Sequence, residues 1–117
     1  KEVEHEPFIS LLETSDHDAR RALEAAGVTP NIRYTTKDDY AIIAMVEQGL
    51  GVSIMPELLL SGRSDNVRVM ELTPPASRTI GLCLPDADRA GPATLRFADC
   101  VSDWVREHYS RLQNTLS

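Results

Sequence analysis

The chain has 117 residues, 42% hydrophobic and 26% charged, a balance that excludes a disordered tract and suits one modest core. Its formal net charge of −6 argues against direct capture of nucleic acid, which calls for a basic face opposite the phosphates. No apolar run nears the roughly 20 residues of a membrane span, and no secretory signal opens the sequence.

The sequence starts at Lys1 without an initiator Met, so a fragment or processed form is expected. "FISLL" (8–12) is a short apolar run that reads as a buried strand. In "TSDHDARRALEAAG", Ser15 or Asp16 is placed to cap a helix. Ala19, Ala22, Leu23 and Ala26 then give it a narrow apolar stripe. Gly27 stops that helix, and Pro30 follows.

"NIRYTT" (31–36) is the next strand, with Ile32 and Tyr34 alternating against Asn31 and Arg33. "KDDYAIIAMVEQG" is a second helix, with Thr36 as its cap and Asp38 and Asp39 at its positive end. Ile42, Ile43, Met45 and Val46 form its buried face, and Gly49 ends it. Leu50 is expected to pack inward, and Gly51 to allow a tight entry into the strand "VSIMP" (52–56).

"PELLLSG" reads as one helical turn with Pro56 at its first position and Gly62 closing it. "VRVMEL" (67–72) alternates as an edge strand, and "RTIGLCLP" (78–85) is a fourth apolar run. From Pro92 a long helix places Phe97, Val101, Trp104, Val105, His108 and Leu112 on one side. Cys83 and Cys100 read as reduced core thiols, consistent with a cytosolic protein. There is no internal repeat and no low-complexity segment.

The order β-α-β-α-β implies right-handed crossovers and a parallel sheet. The expected class is α/β, a mostly parallel sheet flanked by helices. In such sheets ligands sit at the carboxyl ends of the strands, where helix N-termini present unpaired N–H groups. Two hydroxyl-rich corners fall there: Glu13-Thr14-Ser15-Asp16 and Thr35-Thr36-Lys37-Asp38.

"EPFISL", the helix ending in "AAGVTPNIRYTT", "DDYAIIAMVEQGLGVSIMPELLL" and "RTIGLCLP…GPATLRFADCVSDWV" occur in an order that resembles a known family. It is the effector-binding domain of LysR-type transcriptional regulators, whose fold is that of type 2 periplasmic binding proteins. The resemblance covers about residues 3–109, the helix running into "GLGVSIMP" being its most specific part. Relative to that family, the N-terminal winged helix-turn-helix, the linker helix and the first lobe are not seen here.

The resemblance implies that 3–85 form the second effector-binding lobe and that 86–117 return toward the first. The apolar side of residues 92–112 is then expected to need cover from another copy or a partner. It also implies that the second corner lines an interlobe cleft. Thr36 would hydrogen-bond a small-molecule effector and Lys37 would favour an anionic group, with Thr35, Ser15, Thr14 and Tyr40 around them. Other roles stay open. Ser15 and Thr36 are good helix caps, Lys37 also reads as a solvated charge, and Tyr40 as cover for its helix. Met55 and Pro56 suit either the cleft floor or core packing, and Asp16, Asp38 and Asp39 would repel an anion.

An enzyme is not expected. His5, His17 and His108 are scattered without metal-ligand spacing, and Cys83 sits in an apolar run where thiols are inert. Gly49-Leu50-Gly51 joins helix to strand, the reverse of a nucleotide-binding loop. The expectation is therefore the sensing part of a cytoplasmic regulator. It has no cofactor, no metal and no membrane contact; it forms a homo-oligomer, and DNA is bound only through the N-terminal domain. A transporter's solute-binding protein is the alternative on the same fold.

Overall fold

The computed structural model describes residues 2–12, 17–61, 66–84, 86 and 88–116, with side chains to residue 109. It divides into two compact units, Lys1–Arg78 and Thr79–Ser117. In the first unit, a 3-10 turn (Glu2–His5) leads into β1 (Pro7–Leu11), α1 (His17–Ala25), β2 (Asn31–Thr36), α2 (Asp39–Glu47) and the short α3 (Glu57–Leu60).

β1 and β2 pair in parallel, from Pro7 opposite Asn31 to Leu11 opposite Thr36. An irregularity between Phe8 and Ile9 leaves Arg33 as an extra residue, a β-bulge in β2. The third run joins the other side of β1, also in parallel, through a bridge between Phe8 and Val52. Ile9 N–H donates to the Val52 carbonyl, and Val52 N–H to the Pro7 carbonyl, each at 2.9 Å. β1 is thus the central strand, and the three runs are parallel, as the alternating pattern of strands and helices implies. The expected strand over 52–56 shortens to this one bridge.

Phe8 (2% exposed) and Ile9 (0%) are both buried. Adjacent strand residues point to opposite faces, so β1 is covered on both sides. Phe8 clusters with Leu23 of α1 and with Val28, joined by Val3, Ala26, Val52 and Ile54. α2 packs against β1 and β2, and buries Ile42 and Ile43. Met45 and Val46 are half-buried.

Both helices end in the same way. Past α1, Val28 N–H donates to the Leu23 carbonyl and Gly27 N–H to the Glu24 carbonyl. Past α2, Leu50 N–H donates to Met45 and Gly49 N–H to Val46. These are Schellman closures, which need a left-handed residue after the cap; Gly27 (φ 64°) and Gly49 (φ 73°) supply it. Leu50 is 39% exposed, so its backbone closes the motif while its side chain is only partly covered, short of the inward packing expected.

Three further expectations are corrected. Residues 67–72 form no strand: Val69 and Met70 are exposed and only Val67 and Leu72 are half-buried. Alternation sorts side chains into two faces but supplies no partner edge. Residues 78–84 form no strand and pair with none among the described residues. At α3, Pro56 is the N-cap, one place before the helix, because its ψ of 133° is extended. Gly62 lies outside the described residues.

The second unit holds α4 (Pro92–Leu116). Leu95, Phe97, Trp104, Val105 and Tyr109 are exposed along it, and His108 stacks on Trp104 with ring centroids 4.3 Å apart. Cys83 and Cys100 are free, as expected, but exposed and not in a core. Cys83 lies in the unpaired run 78–84, and Cys100 on a helix that has no second layer among the described residues of its unit.

Candidate functional site

The corner after β2 is built by the crossover from a central parallel pair to α2. Leu12 N–H donates to the Thr36 carbonyl at 2.9 Å, which extends the β1–β2 ladder to the last residue of β2. Thr36 is half-buried there, whereas Thr35, Lys37 and Asp38 are exposed. The chain then turns into α2 within two residues.

The cap of α2 is Asp38 and not Thr36 as expected. The Asp38 backbone is extended (φ −121°, ψ 119°), and its Oδ1 accepts from the Tyr40 N–H at 2.9 Å. Thr36 Oγ1 stands one step earlier and accepts from the Asp38 N–H at 3.2 Å. An Asp two residues before a helical amide has the reach for capping, so the carboxylate takes the helix amide and the hydroxyl orders the turn before it. The "TxD" spacing carried this signal in the sequence. In this arrangement the Thr36 hydroxyl uses one acceptor position and keeps its proton for another partner.

Tyr40, in the first turn of α2, is 50% exposed at the same corner. Lys37 makes no ion pair with another described residue. Thr35, Thr36, Lys37 and Tyr40 are therefore gathered by one six-residue stretch at one end of the sheet. Thr14 and Ser15 lie outside the described residues. Met55 and Pro56 are half-buried in the segment beyond the third run.

One polar link was missed in the sequence. Ser53 Oγ donates to the Ile9 carbonyl at 2.8 Å and ties the third run to the central strand. Its signal was its place opposite Val52 and Ile54 in the alternation. Among the described residues no group of three His, Cys, Asp or Glu is placed to hold a metal ion, and no helix is long and apolar enough to cross a membrane.

The model of the "LysR substrate binding domain" family matches residues 1–106, and the chain belongs to that family. The chain is similar to a Bacillus subtilis (strain 168) protein named "Uncharacterized HTH-type transcriptional regulator YvbU", with 27% identity over 105 residues. That match covers 88% of this chain and 36% of the relative, so the chain spans about a third of the relative's length. No solved structure matches it.

Proposed function

We propose that the chain is the effector-sensing lobe of a LysR-type transcriptional regulator. A small metabolite binds between this lobe and a first lobe, and changes how the intact protein engages DNA through its N-terminal domain. Membership of the family carries this reading, and the relative named as a transcriptional regulator supports it. Residues 3–85 are assigned to the lobe and 86–117 to the return toward the first lobe. The intact regulator is a cytoplasmic homo-oligomer.

The corner after β2 is the proposed contact with the effector. Thr36 donates its free hydroxyl proton to the ligand, Lys37 attracts an acidic group, and Thr35 and Tyr40 flank them. An effector shifts the balance of two lobe arrangements only by its preference for one of them, typically about 1–3 kcal/mol.

A thermal-shift screen of the intact regulator against aromatic acids, amino acids and inorganic anions tests the proposal. A hit is expected to raise the midpoint with a concentration dependence set by its affinity. The Thr36→Val and Lys37→Met variants should lose that shift. A full shift in both variants would remove this corner from the site.

A further inference from the structure

The last stretch of the first unit, residues 73–78, is exposed throughout. Just upstream, Val69 and Met70 are 50% and 67% exposed and Val67 and Leu72 only half-buried, so apolar packing on the approach stops at Leu72. One polar contact fastens it. Arg78 Nη1 donates to Asp18 Oδ2 at 3.2 Å, across 60 positions of sequence. Asp18 lies in the first turn of α1, and Arg78 is the final residue of the first unit.

Arg78 forms no other ion pair with a described residue, and residues 73–77 make no hydrogen bond or ion pair to one. The geometry points to a latch: the Asp18–Arg78 pair alone pins the strap that leads out of the first unit to the start of α1. With side chains 50% and 42% exposed, the pair is open to solvent and to salt. Such a contact adds little to global stability, yet it decides where an otherwise unheld segment lies. The connection into Thr79 is thereby released by ionic strength, or by any group that competes for Asp18 or Arg78. This inference does not depend on the effector reading.

Trypsin reads the latch directly, because cleavage after Arg78 needs that guanidinium to leave Asp18 and enter the protease. Arg68, exposed and without an ion pair to a described residue, is the internal reference. On the full chain at low salt, Asp18→Asn is expected to raise the ratio of cleavage at Arg78 to that at Arg68 by about 1.5- to fivefold. Salt at 0.5 M should raise the ratio in the native chain and leave the variant unchanged, and Asp18→Glu should stay near the native ratio. An equal ratio in native chain and Asp18→Asn, or no salt response in the native chain, would overturn the latch. The salt arm uses the native chain alone and holds even where a variant fails to fold.

Discussion

Gly51 lies directly against Pro7: a Cβ on Gly51 would run into the Pro7 carbonyl oxygen, the atom that accepts from Val52 N–H at 2.9 Å. The third run can join the central strand only because residue 51 has no side chain. Gly51→Ala is therefore expected to cost about 2 kcal/mol or more, since the neighbour is backbone and cannot turn aside. Urea unfolding followed by circular dichroism checks it through a lower midpoint at unchanged slope. Gly49→Ala meets open space and suffers only from its positive φ, about 1 kcal/mol.

The cap assignment separates two neighbouring side chains. Asp38→Ala removes the acceptor for Tyr40 N–H and should lower stability by about 1 kcal/mol. Thr36→Val removes only the bond from Asp38 N–H, in an exposed turn, and should cost about 0.5 kcal/mol. Thermal denaturation of both variants orders them. The opposite order would restore Thr36 as the cap.

Phe8 and Met70 test where the core stops. Phe8 is 2% exposed in the cluster with Leu23 and Val28, and Phe8→Ala should cost about 3–5 kcal/mol. Met70 is 67% exposed, and Met70→Ala should stay within about 0.5 kcal/mol. A large loss at Met70 would mean that residues 67–72 are packed as a strand after all.

Cys83 and Cys100 are free and exposed. Both should react with a chromogenic disulfide reagent in the native chain, releasing two equivalents at a rate that denaturant barely increases. Slow release until unfolding would return them to a core.

The parallel order of the first three runs was legible in the sequence because local signals agree there. The helix of residues 17–25 has a clear apolar stripe, and both helices stop just before or at a glycine of positive φ, Gly27 and Gly49, that turns the chain back toward the sheet. What sequence could not supply was partnership. Val67 to Leu72 alternate without a strand to meet them among the described residues, and Cys83 is exposed in a run of which only Leu84 is half-buried there. At the candidate site, the hydroxyls of Thr35 and Thr36 stood out. The cap at Asp38 in place of Thr36 was signalled only by the spacing of Asp38 to Tyr40, which the richer hydroxyl signal of Thr35 and Thr36 masked.

Methyl-resolved NMR of the intact regulator, titrated with whichever compound the thermal screen selects, tests the corner after β2 most directly. Saturable shifts at the Thr35 and Thr36 methyls, with the Tyr40 ring moving at the same concentrations, are the result predicted. Tight binding that perturbs only signals away from these three residues would contradict it.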